Sequence, residues 1–181
     1  GARRRAEGVW QGWGDGLWVY CRRARGAAPR RTLFPDKGTP GTFVMTVRPH
    51  AFDARLYREG LRSKLFDDMR WGRCDIKTLN LIPNTYCMQK AAEAGCDDAI
   101  FVKDGYVTEC ASSTMYIVQG GVLRTHPLTH AILPGTTRKH ILQLAHELSI
   151  PVEDRAFTRE APPSHGEARP HHAAPRPTPP A

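Results

Sequence analysis

A chain of 181 residues with 40% apolar side chains has room for one domain, or one and a fraction, and enough apolar material to build a core. The net charge of +8 points to a nucleic-acid partner only until it is located: residues 1–31 hold eight arginines against Glu7 and Asp15, whereas residues 32–158 hold 15 basic and 14 acidic side chains. A nearly neutral body makes no large steering field, no apolar run reaches the length of a membrane span, and five scattered cysteines without a C-x-x-C pair support neither a zinc site nor a disulfide framework, but reduced thiols in the cytoplasm.

Residues 1–24 read as an irregular basic segment, with no helical or strand period over the first twenty. Trp10, Trp13 and Trp18 are interleaved there with Arg3-Arg4-Arg5. Such a segment suits nucleic acid, by stacking and phosphate contacts, or is simply an unstructured terminus. No apolar stretch follows the arginines, so it is not a secretory signal. Residues 25–158 form the expected domain. It opens on loop material rich in turn residues, from Arg25 to Pro40. Thr42 to Val47 is a strand by its β-branched content, and Arg62 to Met69 a second.

From Leu81 to Ala94 small and apolar residues recur at helical spacing, and Gly95 stops the run. Ala99 to Val102 is a short strand, Asp104-Gly105 a hairpin turn, and Tyr106-Val107-Thr108 begins the return. Met115 to Val118, Gly120-Gly121 and Val122-Leu123 repeat that pattern. Gly135-Thr136-Thr137-Arg138 opens a second helix reaching Leu148, with Ile141, Leu142, Leu144, Ala145 and Leu148 as its apolar face. Val152 to Phe157 is the last strand. Residues 159–181 form a tail rich in proline and histidine that cannot repay its ordering entropy and is expected to be disordered.

Chemistry concentrates between residues 70 and 138. Lys77 lies in a half-apolar strip, with Arg70 and Arg73 before it. A buried lysine with a depressed pKa is a nucleophilic amine, and a surface lysine packs its stem along apolar neighbours. The local pattern allows either. Glu109 ends a hairpin strand and precedes the small residues Cys110-Ala111-Ser112-Ser113, which let a planar ligand approach closely. Gly135-Thr136-Thr137 at a helix start offers free N–H groups and the positive end of a helix dipole to a phosphate. An amine, a carboxylate and a phosphate site in that order match the needs of pyridoxal phosphate: a lysine for the aldehyde, an acidic partner for the ring nitrogen, and a helix start plus an arginine for the phosphate.

The string Arg70…Cys74-Asp75-Ile76-Lys77-Thr78-Leu79-Asn80-Leu81…Pro83-Asn84 resembles the catalytic part of the class IV (fold-type IV) aminotransferases, nearest to their D-amino-acid (D-alanine) branch. Gln89-Lys90-Ala91-Ala92, Asp104-Gly105-Tyr106-Val107-Thr108-Glu109, Thr125-His126-Pro127 and Ile132-Leu133-Pro134-Gly135-Thr136-Thr137-Arg138 extend the resemblance. It implies an α/β (α+β) fold, the large domain of that family, with a mixed sheet or pseudo-barrel flanked by helices, here incomplete. It also implies transamination between a D-amino acid and a 2-oxo acid, with pyridoxal 5'-phosphate as cofactor, small-molecule substrates and a homodimer. Lys77 inherits the cofactor Schiff base, Glu109 the pyridine nitrogen, Arg70 with Thr136 and Thr137 the phosphate, and Leu133 the ring. Arg30, in Arg25-Gly26-Ala27-Ala28-Pro29-Arg30, inherits the substrate carboxylate. No nucleic acid, membrane or metal enters this reading.

The chain departs from the family pattern in places. Thr32 stands where the resemblance calls for a histidine near the substrate. Cys110-Ala111 and Thr114 replace a Gly-Ser pair and an asparagine, and Thr136 replaces an aliphatic residue. On the resemblance, the family's small N-terminal domain and C-terminal segment are expected to be missing here, and both ends of the chain have the composition expected of GC-rich DNA read out of frame. A truncated or frameshifted remnant without activity is therefore the alternative to a working enzyme. A basic nucleic-acid-binding module stands behind both.

Overall fold

The computed structural model describes residues 16–50 and 58–160. Trp10, Trp13, the arginine triplet and the expected disordered tail beyond residue 160 lie outside the described residues. The chain divides into two compact units, residues 1–53 and 54–181, and each is described by itself.

In the first unit β1 (Leu17–Ala24) and β2 (Thr42–Pro49) pair antiparallel over their full length. The sequence reading expected β2 but found no strand period before residue 20, and β1 corrects it. Alternation appears in a sequence when one sheet face is buried, and nearly every residue of this ribbon is exposed or half-exposed on both faces. Its register is held by side chains across the ladder instead. Arg48 lies opposite Trp18 and places its guanidinium 6.0 Å from the indole ring. Trp18 in turn sits 6.2 Å from the ring of Tyr20, on the same face. Between the strands, Gly26 has φ +101°, and a Cβ there would lie 2.0 Å from the Pro40 carbonyl oxygen. No other residue fits that close approach.

The second unit contains two three-stranded sheets. In the first, β3 (Ser63–Asp67) crosses over through helix α1 (Ile82–Glu93) to the parallel strand β4 (Asp98–Lys103), which turns back into β5 (Tyr106–Cys110). In the second, the hairpin comes first: β6 (Tyr116–Gln119) and β7 (Val122–Thr125) pair antiparallel. Helix α2 (Thr136–Glu147) then carries the chain to β8 (Val152–Asp154), parallel to β7. The expected mixed α/β architecture is present. Both hairpins turn on two residues with positive φ, Asp104-Gly105 and Gly120-Gly121, as the twist of paired strands requires.

Burial explains the helix boundaries and faces. Helix α1 docks through Cys87 and Ala91 against Ala99, Phe101 and Ala111. Small side chains there let helix and sheet approach closely. Gly95, at φ +73°, ends α1 in a Schellman turn, with Cys96 N–H donating to Ala91 O at 2.9 Å and Gly95 N–H to Ala92 O at 2.9 Å. Helix α2 differs from expectation: its inward stripe is Arg138 and Ala145, buried, with Ile141 and Leu142 half-buried between them, while Leu144 and Leu148 are exposed. That i, i+3, i+4, i+7 spacing is one helical face, and its first member is a charge. The last strand is shorter than expected. After Asp154 only a bridge between Thr158 and Tyr106 and a 2.9 Å bond from Val107 N–H to Phe157 O continue the pairing. Phe157 then closes a core of Val102, Val107, Cys110, Met115 and Ile117.

One irregularity positions the site. On β4 the partners of Ile100 and Val102 are Cys110 and Val107, so β5 carries one more residue than β4 across this interval. This bulge breaks the alternation of β5, and Val107 through Cys110 are all buried. Val107 and Cys110 enter the apolar core, while the consecutive residues Thr108 and Glu109 both reach Arg70. A regular strand would send those neighbours to opposite faces.

Candidate active site

A cleft of about 410 Å³ in the second unit is lined by Arg70, Lys77, Glu109, Leu133, Thr136 and Thr137, together with the small residues Ala111, Ser112 and Ser113. Six side chains singled out from the sequence thus meet around one space. Lys77 sits in the irregular segment between β3 and α1 and is exposed, not buried. Its segment is pinned from two sides. Cys74 N–H donates to His130 O at 2.8 Å, and Arg73 holds Asp75 through two bonds of 2.8 and 2.9 Å. Beside these charges the Asp75 carboxyl falls to about 2, with the Arg73 hydrogen bond as the main cause.

The centre of the site is a buried chain of charges. Arg70 follows β3 by three residues and lays its guanidinium 4.5 Å from the centre of the Phe101 ring. Its Nε donates to Asp68 Oδ1 at 2.8 Å and Nη2 to Asp68 Oδ2 at 2.6 Å. Nη2 also reaches Ala131 O at 3.0 Å and Thr108 Oγ1 at 3.3 Å. Nη1 donates to Glu109 Oε1. The other carboxylate oxygen, Oε2, accepts the N–H of Leu133 at 3.1 Å.

The side chains of Arg70, Asp68 and Glu109 are all less than a tenth exposed. Burial pushes Glu109 up from the ordinary glutamate range and Arg70 pulls it back. For Asp68 burial also pushes up, but its hydrogen bonds and charge pairing with Arg70 prevail and hold it below the usual value. The assignment of Arg70 to a phosphate, made from the resemblance, is at odds with this geometry: the guanidinium is enclosed, and its donors are committed to carboxylates, a hydroxyl and a carbonyl.

At the far wall of the cleft α2 begins at Gly135 with no side-chain cap. The first-turn N–H groups there have no intrahelical partner, and Thr136 and Thr137 add hydroxyls. Behind them Arg138, 5% exposed, donates to Asp154 Oδ1 at 2.7 Å and to His126 O at 3.5 Å. Asn84 on α1 fixes the third wall by donating to Ala111 O at 2.7 Å. Arg30 and Thr32 lie in the other unit, on the exposed loop between β1 and β2. The sequence reading missed Asp68 and Thr108. Asp68 stands two residues before Arg70, a spacing no motif singled out, and Thr108 reaches the cluster only through the bulge. Among the described residues no group of three or more His, Cys, Asp or Glu side chains could hold a metal ion.

The chain is 40% identical over 142 residues to D-alanine aminotransferase of Bacillus licheniformis, an alignment covering 78% of this chain and 50% of that protein. It spans about half the length of the curated relatives it matches. Among solved structures, a fold IV-transaminase from Curtobacterium pusillum matches with TM-score 0.71 and 26% identity, over 96% of this chain and 61% of that one. A branched-chain amino acid aminotransferase from Thermobaculum terrenum in its PLP-form matches with TM-score 0.66 and 28% identity, over 79% of this chain and 48% of that one. The sequence model of amino-transferase class IV covers residues 12–161, and this chain belongs to that family.

Proposed function

We propose that this chain carries the cofactor-binding part of a pyridoxal-phosphate-dependent transaminase that moves an amino group between a D-amino acid of the D-alanine type and a 2-oxo acid. The observation that carries the reading is the convergence of Lys77, Glu109 and the uncapped start of α2 on one cleft. The cleft's volume falls in the range of small-molecule sites, roughly 300–1,000 Å³. Its donor set also fits the group: an accessible amine, a buried carboxylate held by Arg70, and helix-start N–H groups with two threonine hydroxyls. The small residues Ala111, Ser112 and Ser113 leave room for a flat ring.

In this reading Thr136 and Thr137 hold the phosphate at the positive end of α2, and Leu133 lies against the ring. Glu109 faces the ring nitrogen, and Arg70 orients Glu109 from behind. Pyridoxal phosphate supplies an aldehyde open to attack by an amine and an electron-withdrawing ring. Lys77 would hold the group through its Nζ amine and would serve as the base for the proton at the substrate Cα. Arg30, with Thr32 beside it, receives the substrate carboxylate, for which a guanidinium fork is suited. A cytoplasmic homodimer, with no nucleic-acid or membrane partner, accompanies the reading. Among the described residues no helix is long and apolar enough to cross a membrane.

Absorbance tests it. Purified chain with added pyridoxal phosphate is expected to show a visible band that is lost in Lys77→Ala and altered by D-alanine but not by L-alanine. Absence of the band in the unmutated chain would overturn the proposal and leave the inactive remnant in its place.

A further inference from the structure

We propose that Asp68 is a positioning residue of this site: it occupies one edge of the Arg70 guanidinium, so that Glu109, at the other end of the same fork, meets the cleft with its negative charge only partly cancelled. The inference rests on the functional reading above, and it begins from an imbalance of charge. Three buried ionisable side chains are joined by hydrogen bonds, and two of them are carboxylates. One guanidinium cannot neutralise both.

The geometry decides how it is shared. Asp68 takes Nε and Nη2 side-on through both of its oxygens, the two-point contact that favours guanidinium–carboxylate pairing most. The Arg70 backbone joins the same arrangement, its N–H donating to Asp68 Oδ1 at 3.1 Å. Asp68 is itself fixed by Thr108 Oγ1, which donates to Oδ2 at 3.0 Å. Its main chain extends the β3–β4 ladder, with Asp68 N–H donating to Val102 O at 2.8 Å. Glu109 is left with Nη1 alone and the N–H of Leu133.

Of the three charged side chains, Arg70 and Glu109 line the cleft and Asp68 does not. The excess negative charge is therefore exposed to a ligand only through Glu109. A cation on the ligand, such as a protonated ring nitrogen, would balance it. In the absence of Asp68, Arg70 would serve Glu109 alone and the cleft would lose that demand for a cation. The cleft's other ionisable side chains are Lys77, Cys74, Cys110, Tyr116 and Arg138. Arg138 is paired with Asp154, and burial pushes both thiols and the Tyr116 phenol up. Lys77 is the same in the variant and the unmutated chain, so a difference in Glu109 between the two reports Asp68.

The test is Asp68→Asn, which keeps the shape and removes the charge. The Glu109 carboxyl is followed by carbon-13 NMR in the cofactor-free protein. Its titration is expected to move down by about one pH unit or more, the effect of removing a nearby like charge. A Glu109 titration that stays in place or moves up in folded Asp68→Asn overturns the proposal. In protein loaded with ring-nitrogen-15-labelled pyridoxal phosphate, the ring resonance is expected to move toward the unprotonated position in Asp68→Asn. An unchanged resonance overturns the proposal as well.

Should Asp68→Asn fail to fold, Thr108→Val removes one hydrogen bond to Asp68, and a smaller downward movement of Glu109 is expected, with no movement overturning the inference. If the unmutated chain takes up no pyridoxal phosphate, the functional reading fails, and the Glu109 titration in cofactor-free protein still decides the role of Asp68.

Discussion

The two sheets of the second unit are built from the same parts in opposite order, a parallel crossover through a helix and a hairpin, yet they fasten their helices by different physics. Helix α1 meets its sheet through Cys87, Ala91, Ala99 and Phe101, all fully buried and apolar. Helix α2 buries Ala145 and Arg138, and the link shown to its sheet is Arg138, a buried cation tied to a half-exposed Asp154 on β8. Apolar docking depends on volume and is insensitive to salt. Docking through an ion pair depends on a partner that water can reach. The first sheet is therefore the rigid wall against which Arg70 and Glu109 are set, and the start of α2 is held by a contact that solution conditions can loosen.

The comparison can be broken at three points. Phe101→Ala has the largest expected effect: it opens a cavity under α1 and removes the ring beneath the Arg70 guanidinium, at a cost of about 3–5 kcal/mol, read as a fall in thermal or urea midpoint. Asp154→Ala comes next. It leaves Arg138 buried with only a long contact to His126 O, and the expected loss is about 1 kcal/mol because half of Asp154 is already solvated. Salt sharpens the contrast. The gap between Asp154→Ala and the unmutated chain is expected to narrow in 1 M sodium chloride, while the Phe101→Ala gap does not.

The smallest effect has the opposite sign. Helix α2 ends in the same Schellman turn as α1, with Ile150 N–H donating to Ala145 O at 2.8 Å and Ser149 N–H to His146 O at 3.1 Å. The left-handed position is filled by Ser149, at φ +55°, where α1 has Gly95. Ser149→Gly is expected to raise stability by about 0.5–1 kcal/mol, since the side chain pays for a backbone conformation that glycine adopts freely. A lower midpoint in this variant would show that Ser149 makes a contact offsetting its strain.

Features with a local cause were legible in the sequence. Asp104-Gly105 and Gly120-Gly121 announce their turns because few other pairs accept positive φ twice, and Gly95 announces the end of α1. The order Lys77, Glu109, Gly135 pointed to one site because each residue type answers one chemical need. Features whose cause is tertiary were not legible. Leu144 and Leu148 read as core and are exposed, because the face of α2 is chosen by Arg138 and its partner on β8 rather than by apolar count. The strand β1 has no buried face to impose a period. The enclosure of Arg70 depends on Asp68, just past the end of β3, meeting Glu109 from β5, which neither residue's neighbours reveal.

The bulge in β5 means that the placement of the carboxylate in the cleft rests on a residue count as much as on a residue type. Remove one residue between Val107 and Cys110 and the ladder with β4 could run regularly, with a glutamate still in the sequence but pointed away from Arg70. Alignments of related chains are therefore best anchored on spacing across this hairpin. A relative that keeps the glutamate but loses the extra residue would match the motif on paper while presenting a different wall to its ligand.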